Sequence, residues 1–252
     1  MPRTTSFLFI VLAVLGLAAP AQAAQKPVGT IAAGLCQEQS VEVPVDRARL
    51  QAELPEGWQV RNSFVFAQPS VFVVVSSCSK LSAGGVLLER AHGAQLTTGA
   101  VPPRGPAIGY VLRDLTDHPG ADRLLRRAGF AGGQAAISTT ATGSRLVGHP
   151  LRTGTVDAGA DSFGVTVSAF APDTAVPGIS SEGFTLGTQG PAGLAQYAIR
   201  YRNQFVNVGA GRVTAPAGSY LARLLGATEA TGFGTFTSHG LEVDVSAERP
   251  GA

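Results

Sequence analysis

The chain has 252 residues, a formal net charge of +2, and only 14% charged side chains. So sparse and balanced a charge leaves no electrostatic footprint for nucleic acid, and a 44% hydrophobic content excludes a disordered tail. The length suits one domain with a sizeable core or two small ones.

The first residues read as an export signal. Arg3 gives a positive start, residues 7–19 are apolar, and Pro20-Ala21-Gln22-Ala23 ends in an Ala-x-Ala cleavage pattern. Residues 1–23 are therefore expected to be removed, placing the mature chain in a secreted or cell-envelope compartment. The competing reading is an uncleaved anchor, but the run is short for a membrane span, and no other stretch is apolar enough for one. Residues 24–40 read as a loosely held leader of small residues, 41–246 as a single β-rich domain, and 247–252 as a tail.

Val41, Val43 and Val45 alternate with Glu42 and Pro44, the pattern of a half-buried strand. Pro44 cannot donate to a ladder, which argues for an edge position. Asp46 suits a helix N-cap, Leu50 and Leu54 share one helical face, and Pro55 stops the helix. Trp58 is read as a core anchor in preference to a ligand contact. Residues 59–68 and 70–78 are strand candidates, the second apolar on both faces. A loop over 79–83, a Gly84-Gly85 turn, and strands at 86–91, 95–101 and 108–115 follow. In the last of these, Ile108, Tyr110 and Leu112 are expected on one face, with Val111 and Arg113 on the other.

Asp117-His118-Pro119 opens the strongest helix, which Gly129 closes. Strands are then expected at 134–142, 145–148, 151–157 and 162–171. Residues 172–193 read as loop with one short strand at 184–186. Residues 195–201 and 204–208 read as a hairpin turning at Arg202-Asn203. Gly209-Ala210-Gly211 reads as a turn, because the third glycine of a dinucleotide fingerprint is missing. A short helix at 219–225 and strands at 231–237 and 241–245 close the chain. The fold class is mainly β: an antiparallel β-barrel-like or sandwich domain with two or three short helices.

The sequence holds two cysteines, Cys36 and Cys78. In an oxidising compartment the pair reads as a disulfide. A buried thiol pair and a catalytic cysteine are the other readings, the last without a histidine nearby in sequence. His92, His118, His149 and His239 show no metal-ligand spacing, so no metal or cofactor is expected. No Gly-x-Ser-x-Gly elbow is present, and no catalytic residue is assigned. Glu89 is either a lumen-facing acid or base with a raised pKa or a solvated strand residue beside Arg90.

Leu54-Pro55-Glu56-Gly57-Trp58, paired strands, Tyr110-x-Leu112 with Thr116-Asp117, a helix ending at Gly129, and residues 218–226 together resemble the acetoacetate decarboxylase-like superfamily. The resemblance spans residues 41–226. It implies an antiparallel barrel-like sheet around a small-acid pocket. The decarboxylases use a Schiff-base lysine beside a second cation. Here Lys26 and Lys80 are the only lysines and stand apart, so that chemistry is not carried over.

Three functions remain in view. One is a non-enzymatic barrel holding a small, partly apolar, acidic ligand through Glu89, Arg90, Tyr110, Arg113, Tyr197 and Tyr201, with Arg200 a further candidate. Another is an exported small-acid lyase or hydrolase working through Glu89 or a histidine. The last is an envelope structural protein without a pocket.

Overall fold

In the computed structural model the described residues are 25–142, 151–169, 182–190 and 193–248. The signal segment, the strand expected at 145–148, His149, most of the loop at 172–193 and the end of the tail lie outside them.

Two long strands make the frame. β1 (Gln25–Pro44) pairs on one side with β12 (Glu229–Glu248) and on the other with β3 (Ser70–Ala83). The small-residue segment before Cys36 is thus strand and not a loose leader, paired with β12 from Gln25 and also with β3 from Ile31. The Pro44 strand is central and not an edge, since the proline stands at its last position, where the missing N–H costs little. β3 turns through Gly84 and Gly85, at φ 54 and 77, into β4 (Val86–Val101). That continuity replaces the loop expected at 79–83 and fuses the two strands expected between 86 and 101. β5 (Ile108–Thr116) pairs with β4.

The long β11 (Gly193–Thr214) replaces the expected hairpin. Asn203, at φ 50, lies in an irregularity between Arg202 and Phe205 that the strand passes through without reversing. Gly209 and Gly211 are strand residues and not a turn. A side chain at Gly209 would meet the Ser168 backbone at 2.0 Å, and one at Gly211 would meet Val41 at 2.5 Å. β12 likewise merges the two closing strands.

β10 (Glu182–Gly190) pairs with the first part of β11 and, in parallel, with β5. These contacts close a ring in the order β5, β4, β3, β1, β12, β11, β10. The last part of β11 pairs instead with β9 (Phe163–Ala169), followed by β8 (Leu151–Asp157) and β7 (Ala136–Thr142). Two short strands, β2 (Gln59–Val60) and β6 (Gly132–Gln134), add to β4 and β5. The architecture is therefore barrel-like on one side and a sandwich on the other, as the composition implies.

Two apolar cores follow from strand alternation. Val41, Val43, Val71, Val73, Val75, Ala94 and Leu96 point out of the ring into a core shared with β7–β9. Gly154 of β8 lies so close that a side chain there would strike Val75 and Gln39. α1 (Arg47–Ala52) and α3 (Tyr220–Leu225) also feed this core, through Leu50, Leu221 and Leu224. Asp46 caps α1 by accepting from the Ala48 and Arg49 N–H groups, and Gly226 closes α3 in the left-handed conformation.

The second core fills one end of the ring. α2 (Pro119–Ala128) plugs it with Ala121, Leu124, Leu125 and Ala128. Leu124 sits against Gly29 so tightly that a Cβ there would lie 2.6 Å away. His118 caps α2: Nδ1 accepts from the Gly120 and Ala121 N–H groups, and Nε2–H donates to the Leu81 carbonyl. Cys36 and Cys78, directly opposite each other in the β1–β3 ladder, form a disulfide at the edge of this core.

One apolar run behaves differently from its sequence. Residues 61–68 form a turn and not a strand, with Ser63 Oγ accepting from the Val65 and Phe66 N–H groups. Phe64 is 66% exposed there. Trp58 is buried, edge-on to Tyr110 at 5.0 Å between ring centroids.

The disulfide closes a separation of 42 residues, for which the chain-entropy model gives about 4 kcal/mol. Cys36→Ser with Cys78→Ser is expected to lower unfolding free energy by about 2–4 kcal/mol, read from urea titrations with and without reductant. Equal stability of the two proteins would show that the paired strands alone fix this part of the ring.

Candidate functional site

The interior of the ring away from α2 is open. Phe72, the third residue of β3, is paired with neighbours on both sides, and the opposite face of β3 is buried against β7–β9. Yet Phe72 is 39% exposed. The solvent it meets lies on the inner face at the unplugged end of the ring, and Val74, Ser76 and Gln95, deeper on that face, also keep part of their surface free. Val208 of β11, 38% exposed, faces the same space. Small side chains line it between them: Ser40, Ser76, Gly93, Thr97, Thr235 and Thr237 on the inward positions of β1, β3, β4 and β12.

A register break in β5 supplies the lumen's central polar group. Leu96 opposes Arg113, but Thr97 opposes Val111, leaving Leu112 as an extra residue. Inward and outward positions exchange at that point. Tyr110, Leu112 and Leu115 join the outer core, Val111 the inner one. Arg113 moves outward, and Asp114 turns into the ring.

Asp114 accepts hydrogen bonds from Tyr197 Oη and, at 3.0 Å, from Gln95 Nε2. Tyr197 stacks on Phe130 with centroids 4.0 Å apart, which fixes its ring over the α2 plug. The carboxyl is enclosed by protein, and desolvation pushes its pKa up to about 6, opposed by the hydrogen bonds from Tyr197 and Gln95 and assisted by the charge of Asp122. Burial, then the Asp114 charge, holds the Tyr197 phenol well above its ordinary range. Asp114 as a residue still keeps part of its surface free, on the inward face of β5.

A second inward cluster lies beside the disulfide. His239 is fully buried opposite Cys36, and its Nδ1–H donates to the Gly240 carbonyl at 3.2 Å. Its Nε2 lies 3.2 Å from Glu38 Oε2 without completing a hydrogen bond. Tyr201 packs edge-on against the imidazole at 4.3 Å, and burial raises its phenol pKa. Glu42, also inward and buried, accepts from Ser70 Oγ at 2.6 Å.

A smaller polar cleft of about 130 Å³ lies on the outer side of β5, bordered by Glu53, Tyr110, Arg113, Thr188, Gln189 and Tyr220. The Arg113 guanidinium stacks 3.7 Å above the Tyr220 ring and pairs with Asp161 at 3.2 Å. Tyr220 Oη donates to Glu53 at 2.9 Å. Burial, and then that hydrogen bond, raise the Tyr220 pKa.

The residues singled out from sequence do not converge. Tyr110 and Arg113 border the outer cleft. Tyr197 and Tyr201 face the ring, in different clusters. Glu89 and Arg90 are exposed on the outer hairpin, so Glu89 takes its solvated alternative. Arg200 is tied to Glu242 and Asp244 on the ring's outer surface. Arg113 shares the Leu112 side, not the Val111 side, because of the bulge. The arginines expected to meet an acidic ligand therefore point away from the lumen. Asp114, Gln95, Glu38 and His239 were not selected as site residues, although the selected Tyr197 bonds Asp114, the selected Tyr201 packs on His239, and Cys36 faces His239 across the ladder.

Lys26 and Lys80 are both exposed, and neither lines the lumen or the cleft. Among the described residues no group of three or more His, Cys, Asp or Glu side chains could hold a metal ion, and no helix is long and apolar enough to cross a membrane.

No protein-family model and no curated protein matches the chain. Solved structures do. An acetoacetate decarboxylase-like enzyme from Sphingomonas wittichii superposes with a TM-score of 0.63 at 14% identity, over 86% of this chain and 91% of that one. The enduracididine biosynthesis enzyme MppR, in complex with pyruvate, gives 0.60 at 12% over 86% and 89%. Acetoacetate decarboxylase from Legionella pneumophila gives 0.58 at 12% over 95% and 93%. The chain has the acetoacetate decarboxylase-like fold, as the sequence resemblance implied.

The raised Asp114 pKa carries a stability signature. Between the unfolded value near 3.8 and the folded value of about 6, the unfolded chain releases this proton first, so stability falls as pH rises through that window and then levels. The expected loss is up to about 3 kcal/mol. Asp114→Asn should flatten this part of the urea-midpoint profile between pH 4 and pH 7. An unchanged profile would show that Asp114 titrates normally.

Proposed function

We propose that the chain is an exported small-molecule-binding protein that holds a small, partly apolar organic ligand in the lumen of the ring and forms no Schiff base with it. One observation carries the reading: the inward face of the doubly paired β3 is not closed over, with Phe72 39% exposed near the mouth and Val74 and Ser76 partly exposed beyond it. An open concavity mixing aromatic, aliphatic and a few convergent polar groups is the usual form of a ligand site. Pyruvate in the MppR complex supports ligand size, not identity. The export pattern at residues 1–23 supports a secreted or envelope location.

A second reading, a small-acid lyase or hydrolase, draws on Asp114. An inward carboxyl with a pKa of about 6 is suited to move a proton at neutral pH. The pocketless structural protein requires a solidly packed interior, and the exposure of Phe72 argues against it.

Native mass spectrometry of the mature protein tests the binding reading. A co-purified small mass that leaves on collisional activation is the expected result. In a parallel sample, pyruvate with borohydride is expected to add no covalent mass above a no-pyruvate control, because no lysine amine faces the lumen. A stoichiometric reduced adduct would overturn the lysine-free chemistry. Turnover of a small keto acid with a pH dependence abolished by Asp114→Asn would favour the enzyme.

A further inference from the structure

The charge inside the ring selects a ligand class. Below the mouth, the described ionisable side chains that point inward are the carboxylates of Glu38, Glu42 and Asp114, the phenols of Tyr197 and Tyr201, and one base, His239. The described arginines of the ring wall are spent elsewhere. Arg113 pairs with Asp161 outside the ring, Arg200 and Arg202 with Glu242, and Arg212, at the mouth, with Glu229. Arg61, also at the mouth beside Gly99, lies over the exposed Phe64 ring.

A second observation concerns hydrogen-bond donors. The Gly240 carbonyl can only accept, so His239 donates to it from Nδ1–H. Nε2 is fully buried, 3.2 Å from Glu38 Oε2, and has no hydrogen-bond partner. Glu38 keeps 21% of its side chain exposed on this inward face and accepts no hydrogen bond from the imidazole, which leaves it open to an N–H cation. The aromatic surfaces of Phe72, Tyr201 and Phe233 on the same inward face suit the apolar stem and charge of such a ligand.

Resting on the lumen-binding reading, we propose that the lumen takes a small organic cation, an alkylammonium-type amine, and not a carboxylic acid. Its ammonium pairs with the inward carboxylates, and its stem lies along the Phe72 and Val208 side of the lumen. No covalent step is involved.

The test uses three probes of matched size: n-butylammonium, butyrate and 1-butanol. Each is titrated into the mature protein at fixed ionic strength and pH 7.5, followed by heteronuclear NMR. Butylammonium is expected to shift the resonances of Phe72, Asp114 and Tyr197 and to bind at least tenfold more tightly than butyrate. The preference should shrink several-fold in Asp114→Asn, which retains groups able to hydrogen-bond Tyr197 and Gln95, and again in Glu38→Gln. Equal or tighter butyrate binding at the same residues would overturn the cation assignment while leaving the lumen as a ligand site. Binding of butanol alone would do the same. Shifts confined to the Arg113–Tyr220 cleft, or no shift with any probe at millimolar concentration, would overturn the lumen reading itself and the cation assignment with it.

Discussion

One extra residue in β5 organises the interior. If β5 followed strict alternation, Leu112 and Asp114 would share a face, and a carboxylate would be driven into the valine-lined core beneath β7–β9. Arg113 would meanwhile point into the ring. Burying either charge unpaired costs several kcal/mol. The bulge at Leu112 removes both conflicts in one step. It also sets the outer cleft, because Arg113 then lies over Tyr220 and within reach of Asp161. Both polar regions of the molecule descend from this one register break.

The rest of the ring divides its interior between packing and space. α2 fills one end, and its approach depends on close contacts where a larger residue cannot stand, at Gly29 against Leu124 and at Gly120 against the Ala83 carbonyl. His118 secures the entry of the helix by bonding two of its free N–H groups and reaching across to β3. The Phe130–Tyr197 stack forms the boundary, apolar on the α2 side and hydroxyl-bearing on the other. Beyond it the inward side chains shrink to serine, threonine and glycine, and the ring stays open. Helical packing and strand alternation thus place an empty, polar-floored space at the unplugged end.

Much of this was legible in the sequence. Helices stood out because their ends carry chemistry: Asp46, His118-Pro119 with Gly129, and Ser219 with Gly226 all cap as their residue types imply. The Gly84-Gly85 turn and the cysteine pair were equally readable. Strand continuity was not. Glycine and asparagine at 203, 209 and 211 look like turn residues, yet Asn203 marks an irregularity within one strand and the glycines permit close sheet contact. Phe64 looks like a strand residue but belongs to a Ser63-stabilised turn. The site was least readable, since a bulge leaves no compositional mark and inverts every inside–outside assignment after it. Arg113 and Asp114 exchanged roles for that reason, and Glu89 drew attention through its neighbours alone.

The charge on Asp114 is the feature that packing does not require. As a staple, the Tyr197–Asp114–Gln95 bridge ties β11, β5 and β4 together across the ring. An asparagine has the donors and acceptors to make the same bridge without the desolvation that lifts the carboxyl pKa to about 6. Neutral pH therefore finds an ionised group that weakens the fold, in a lumen already holding Glu38 and Glu42. Desolvation, with a smaller contribution from the Asp122 charge, is what opposes ionisation of Asp114, and a nearby cation would counter both. With the wall arginines engaged outside the ring or held at its mouth, and both lysines solvated elsewhere, the described part of the chain supplies only His239 from within. A ligand bearing positive charge would offset part of that desolvation cost. On that reasoning the acidic floor belongs to recognition, and the neutral hydrogen-bonding capacity of the same residues to the fold.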